Sequence, residues 1–121
     1  MNTSEPLEWQ VFGTDLAPYS SPWRPYGAPW TIPAYCRDGQ WVHFRGLLGY
    51  SATPPAAVQG IALVPVGFRP RFRTMFAARG VGISVRVEVH PDGSFLINLA
   101  DNTPGQAAFV SLDGIAYEVG L

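Results

Sequence analysis

The side chains best suited to hold a transition metal or attack a carbonyl carbon are Cys36, His43 and His90. A zinc site takes three or four such ligands at a recognisable spacing. Here His43 sits between Trp41 and Arg45, and His90 precedes the turn-forming Pro91-Asp92-Gly93, so nothing local brings the three together. The histidines read as solvated or hydrogen-bonded imidazoles, and no metal is expected. Cys36, next to Tyr35, reads as buried packing rather than a reactive thiol, and as the only cysteine it forms no intrachain disulfide. There is no Gly-x-Ser-x-Gly elbow and no phosphate-cradling glycine loop. Asp38, Asp92 and Asp113 each precede a glycine, which assigns them to turns that cap local backbone rather than to a glycosidase pair. The sequence therefore predicts no enzyme and no cofactor.

Two groups of residues suit binding instead. Arg69, Arg71 and Arg73 alternate around Pro70 and Phe72, so an extended backbone would set three guanidinium groups on one face. Such a face can clamp a carboxylate or an anionic glycan, or serve as a solvated edge or a subunit salt bridge. The second group is aromatic. Trp9, Phe12, Tyr19, Trp23, Tyr26 and Trp30 are interleaved with Pro6, Pro18, Pro22, Pro25, Pro29 and Pro33. Prolines fix an extended path, and a disordered linker would not carry so many rings. Residues 1–33 are expected to form an ordered arm that docks on the protein's own sheet or on a neighbour, with Trp9, Trp23, Tyr26 and Trp30 as candidate partner-binding residues. Stacking of sugars on these rings is the alternative.

Apolar alternation defines the scaffold behind these surfaces. Ile83, Val85, Val87 and Val89 alternate with Ser84, Arg86, Glu88 and His90, the period-two pattern of a strand with one buried face. Pro91-Asp92-Gly93 turns the chain, and Phe95, Ile97 and Leu99 return. Asp38-Gly39 predicts a hairpin joining 35–37 to 41–45, because its turn needs positive φ. Asp113-Gly114 predicts a structural turn between 109–112 and the run Ile115, Tyr117, Val119. Further strand patterns cover 61–64 and 72–77, and no helical stripe is present. The expected fold is all-β, an antiparallel β-sandwich of jelly-roll type with about eight short strands. It would span 34–121, preceded by the arm.

Composition narrows the partners. The charged fraction, 14%, lies below the usual one-quarter or so and leaves uncharged surface suited to packing against other subunits. The net charge of -1 supplies no basic field for nucleic acid. All eight basic residues are arginine, whose planar fork suits desolvated contacts, although a GC-rich genome produces the same bias. No apolar run is long enough to cross a membrane, so no membrane insertion is expected. The segment Met1-Asn2-Thr3-Ser4-Glu5-Pro6 lacks the basic and apolar regions of a secretory signal. Synthesis in a cytoplasm is expected, with release by another route such as lysis.

Five motifs stand in order along the chain. They are Tyr26-Gly27 with Ala34-Tyr35 and Arg37-Asp38-Gly39; Val42-His43-Phe44-Arg45-Gly46-Leu47; Leu63-Val64-Pro65-Val66-Gly67-Phe68-Arg69-Pro70; Arg86-Val87-Glu88-Val89-His90-Pro91-Asp92-Gly93; and Val110-Ser111-Leu112-Asp113-Gly114-Ile115-Ala116-Tyr117. Over residues 23–119 this series resembles the β-sandwich module at the C-terminus of many tailed-bacteriophage virion proteins. Those are chiefly minor tail, tail-fibre and receptor-binding proteins of phages of high-GC hosts. The resemblance implies a structural protein at the particle surface, often trimeric, whose motifs are scaffold and not catalytic. Leu112 and Tyr117 would then be buried, Gly67 would allow a bend, and Phe68 would plug one end of the sandwich.

In that family the module usually ends a longer chain, whereas this sequence is about one module, so attachment is expected through the arm, the sandwich or both. The expected role is a tail- or fibre-associated virion surface protein acting in assembly and host-receptor attachment. A capsid decoration or head-fibre protein and a carbohydrate-binding, lectin-like module are the alternatives. Expected partners are further copies of the chain as a homotrimer, other virion proteins, and a host cell-surface glycan. Sheet edges that need covering also favour a symmetric oligomer.

Overall fold

Valine at every second position from 85 to 89 drives the clearest strand in the computed structural model of the protein. Val85, Val87 and Val89 are fully buried, while Ser84, Arg86 and Glu88 face outward. The structure describes residues 7–19, 23–50, 58–80, 84–99 and 109–119, so Ile83 of the same pattern lies outside the described residues. The strands are β1 (Gln10–Val11), β2 (Trp23–Pro25), β3 (Ala34–Asp38), β4 (Trp41–Arg45), β5 (Leu47–Tyr50), β6 (Val58–Leu63), β7 (Thr74–Arg79), β8 (Ser84–Val89), β9 (Ser94–Asn98), β10 (Phe109–Ser111) and β11 (Ala116–Glu118). They are antiparallel and form three sheets of order β1-β3-β4-β11, β10-β5-β2 and β6-β9-β8-β7. The fold is all-β and sandwich-like. Phe44 of the first sheet meets Phe95 of the third with ring centroids 5.2 Å apart.

The hairpins follow the glycines. Asp38 pairs with Trp41, so the loop between β3 and β4 is Gly39-Gln40, with positive φ at Gly39 alone. A two-residue hairpin with positive φ only at its first loop position needs glycine there, which leaves Asp38 as the last strand residue. Between β8 and β9, the Gly93 N–H donates to the His90 carbonyl and the His90 N–H to the Ser94 carbonyl, each at 2.9 Å. Gly93 then takes φ 93°, the geometry of a three-residue loop closed by a glycine bulge.

The first two sheets are joined by a corner in a single strand. Only Gly46 separates β4 from β5, and its φ is 109°. Its N–H donates to Asp113 Oδ1 at 2.9 Å, and its carbonyl accepts the Leu112 N–H at 2.8 Å. On the other side the Leu47 N–H donates to the Thr31 carbonyl at 3.0 Å. A Cβ on residue 46 would lie 2.5 Å from both Cα and N of Pro33. Asp113-Gly114 is a turn, closed by the Ile115 N–H on the Leu112 carbonyl, with Gly114 at φ 87°. It does not make a hairpin, because β10 pairs with β5 and β11 with β4. It bends the neighbouring strand round the same corner.

The proline- and aromatic-rich stretch is built into the sandwich. β1 extends the first sheet beside β3, and β2 extends the second beside β5. Between them Tyr19 bridges to Ala62, and the Leu63 N–H donates to the Pro18 carbonyl along the open side of β6. The stretch thus covers an edge of each of the three sheets, where proline is tolerated because the outer N–H has no ladder to join. Phe12, Ala17 and Trp23 are buried, so the core does not divide at residue 33. Phe12 is central to an aromatic cluster, with ring centroids 4.9 Å from Tyr35, 5.3 Å from Phe44 and 5.4 Å from Phe95. At one end Phe68 packs edge-on to Tyr35 at 5.0 Å, and its carbonyl accepts the hydroxyl of the buried Tyr117. Leu112 is fully buried as well.

Two predictions follow from the corner and the built-in stretch. Gly46→Ala should destabilise by about 3 kcal/mol or more, since it adds a backbone clash to the strain of positive φ. Gly114→Ala, with open space around it, should lose only about 1 kcal/mol. Urea denaturation of both variants measures the difference. A chain beginning at Pro33 lacks Phe12, Ala17 and Trp23 and should fail to give a cooperative unfolding transition or a folded β spectrum by circular dichroism.

Candidate functional site

The residues singled out for binding do not form one site. Trp23 is fully buried; its indole N–H donates to Gln59 Oε1 at 3.1 Å and its ring meets Tyr50 edge-on at 5.1 Å. It anchors the stretch to its own sandwich and presents no surface to a partner. Trp9 is half-buried, with the Arg45 guanidinium 4.0 Å from its ring centroid.

The three arginines do not converge. Arg69 Nε donates to the Val64 carbonyl at 2.8 Å, and its guanidinium lies so close over Gly93 that a Cβ there would sit 2.6 Å from Nε. Arg71 is 3.7 Å from Glu118, and Arg73 is 3.4 Å from Glu88. The cause is local. Pro70 makes an isolated bridge to Val119, and regular pairing with β8 begins only at Thr74, so residues 69–73 are not a strand with one shared face.

Tyr26 and Trp30, by contrast, come together. The Tyr26 N–H continues the β2–β5 ladder to the Leu47 carbonyl at 2.9 Å. Its ring lies against Gly49, where a Cβ would stand 3.1 Å from Tyr26 Cδ2. A turn containing the cis Ala28–Pro29 peptide and closed by the Trp30 N–H on the Gly27 carbonyl then carries Trp30 to the same side. Phe109, at the start of β10, meets Tyr26 edge-on with centroids 6.1 Å apart. These three rings line a cleft of about 260 Å³ beside the Gly46 corner. Arg79, the last residue of β7, enters its wall from the third sheet, with Ser111 and Asp113 completing the polar side.

Tyr26 and Trp30 are 52% and 57% exposed, so the cleft offers ring surface to solvent. Arg79 and Phe109 were not foreseen as site residues, and Asp113 was foreseen only as a turn. No local pattern connects them to Tyr26 and Trp30, because Phe109 and Asp113 arrive through the pairing of β10 with β5 and Arg79 arrives from the third sheet.

Burial pushes the Cys36 thiol up, which disfavours the nucleophilic thiolate. Burial also raises the Tyr19 hydroxyl to about 12, against the opposing pull of Arg24. Among the described residues no three His, Cys, Asp or Glu side chains cluster as a metal site would require. His90 Nε2 lies 3.1 Å from Glu88 Oε1, and this bond, aided by Arg73, holds the Glu88 carboxyl below its ordinary value.

With the geometry in hand, comparison with family models, with curated proteins and with solved structures yields no match to this chain.

The Glu88 pairing predicts a pH signature. Because its pKa is depressed in the fold, its contribution is present above the ordinary value of 4.5 and is lost as pH falls through the lower folded value. Glu88→Gln should therefore be less stable than the native chain by about 1 kcal/mol at pH 7. The two urea midpoints should converge as the pH is lowered and the Glu88 carboxyl becomes protonated in the fold.

Proposed function

We propose that this protein is a non-enzymatic surface component of a tailed-phage virion, associated with the tail or its fibres and acting in particle assembly and host attachment. The observation that carries this is the ordered series of five motifs over residues 23–119. Several of them occupy positions that a sandwich needs for its own construction. Gly46 forms the strand corner, Gly93 admits the Arg69 guanidinium, and Asp113-Gly114 follows the bend. Motifs of this kind transmit a scaffold, and what a scaffold without a catalytic constellation offers is surface.

The surface suits assembly. Among the described residues β7 is an edge strand that pairs only with β8, and within Thr74–Arg79 it has neither proline nor lysine to discourage a further strand. Phe72 just before it and Met75 within it are 72% and 62% exposed. A symmetric oligomer, a trimer by the same resemblance, would cover such an edge. The cleft of Tyr26, Trp30 and Phe109 favours a second role, a lectin-like module that stacks a glycan on aromatic rings; it is compatible with attachment to a host surface.

Purified particles of the phage encoding the protein should contain it, and cryo-electron microscopy should place its density on the tail or fibres. Density on the capsid lattice would instead make it a decoration protein. Light scattering should give a trimer for the native protein and a smaller species for Met75→Glu. A protein absent from particles and monomeric at high concentration would overturn the proposal.

A further inference from the structure

One of the arginines stands apart. Arg24 lies over Tyr19 and donates to the Trp23 carbonyl, and Arg37 donates to the carbonyls of Gly39 and Gly67. Arg45 covers Trp9, and Arg69 donates to Val64. Arg71 and Arg73 pair with glutamates, and Arg86 is engaged too. Among the described residues the Arg79 side chain alone has no hydrogen bond, ion pair or ring contact, and it lines the aromatic cleft. Asp113, on the same wall, is not its salt-bridge partner; one carboxylate oxygen is taken by the Gly46 N–H. Ser111 Oγ accepts the Asp113 N–H at 3.3 Å, which leaves its own O–H free to donate.

The cleft therefore combines three unlike features. Exposed ring faces of Tyr26 and Trp30 present the negative side of their quadrupole, which attracts the weakly positive C–H groups of a saturated ring. The second oxygen of Asp113 and the hydroxyls of Ser111 and Thr31 can accept or donate to hydroxyl groups. The Arg79 fork offers bidentate donors to a carboxylate. The volume of about 260 Å³ lies just below the usual small-molecule range, a size for one sugar ring rather than a long chain.

We propose that this cleft binds a sugar unit bearing a carboxylate, a uronic-acid residue of a glycan, with its ring against Tyr26 and Trp30 and its carboxylate on Arg79. Hydroxyls of the same ring reach Asp113 and Ser111 on that wall. This rests on the glycan-binding role above and is independent of any place in a virion.

Isothermal titration and saturation-transfer NMR on the intact protein test it, with galacturonic acid and its trimer as probes. Galactose and its trimer are the neutral controls, and acetate and the peptide Gly-Gly-Phe are the carboxylates without a sugar. Galacturonate oligomers should bind in the roughly millimolar range, about tenfold more tightly than the neutral sugars. Arg79→Gln should abolish that preference while leaving the weaker neutral binding, and Trp30→Ala should remove binding of both. The Arg79 side chain has no partner to lose among the described residues and Trp30 is exposed, so unchanged thermal unfolding should show both variants folded.

Equal binding of acidic and neutral sugars, or full binding by Arg79→Gln, would refute the carboxylate assignment and leave the glycan role standing. No binding of any sugar would refute both. Gly-Gly-Phe or acetate binding as well as galacturonate, lost in Arg79→Gln, would show a general carboxylate site and refute the sugar assignment.

Discussion

The hydrogen bond from the Gly46 N–H to the Asp113 carboxylate holds the corner on which the sandwich turns. Without a bend at residue 46, β4 and β5 would run straight as one long strand in one sheet. With it, the first half pairs with β3 and β11 and the second half with β2 and β10. The bend needs a residue at positive φ with no side chain, because Pro33 backbone occupies the space where a Cβ would stand. It also needs an acceptor for an N–H that leaves the ladder at the bend, and Asp113 supplies it. The neighbouring strand must bend at the same level, which Gly114 permits. One exchange of partners thus couples residues 67 positions apart and fixes the relation of two sheets.

A sandwich of short strands has many edges, and here most are covered by the chain itself. The first third of the described chain runs along one edge of each sheet and inserts Phe12, Ala17 and Trp23 into the core as it passes. Its prolines and its aromatics belong to one solution. Proline suits an edge because it removes a donor that would face solvent, and the rings between the prolines bring the apolar area that holds an extended segment down. Among the described residues β7 keeps an unpaired side, and Met75 on it is exposed.

The aromatic residues divide into two kinds by what lies beneath them. Phe12, Trp23, Tyr35, Phe44, Phe95 and Tyr117 are sealed between sheets and serve stability. Tyr26 and Trp30 lie outside the seam, on a turn that follows β2, and they are exposed beside a guanidinium that has no partner among the described residues. Burial in the core saturates a ring with contacts, whereas a ring at a cleft keeps its face for a ligand.

Strand identity was legible in the sequence because it depends on period-two alternation, a local property. β8, β9 and the ends of the chain at 109–119 bury the side chains that their alternation predicts, and the glycine of each Asp-Gly pair takes positive φ. What alternation does not encode is which strand lies beside which. Asp113-Gly114 carries the same local signal as a hairpin turn, yet its two strands pair with the two halves of β4–β5, since pairing is decided by the corner at Gly46. Arg69, Arg71 and Arg73 alternate as a strand would, but the bridge from Pro70 to Val119 and separate acceptors send them apart. The cleft was half legible. Tyr26 and Trp30 announce themselves by type and by neighbouring prolines, whereas Phe109 and Asp113 join them through the pairing of β10 with β5, and Arg79 from the third sheet, at separations in sequence that no local pattern can report. Residue type and spacing thus determined the elements, and long-range packing decided which surfaces those elements left open.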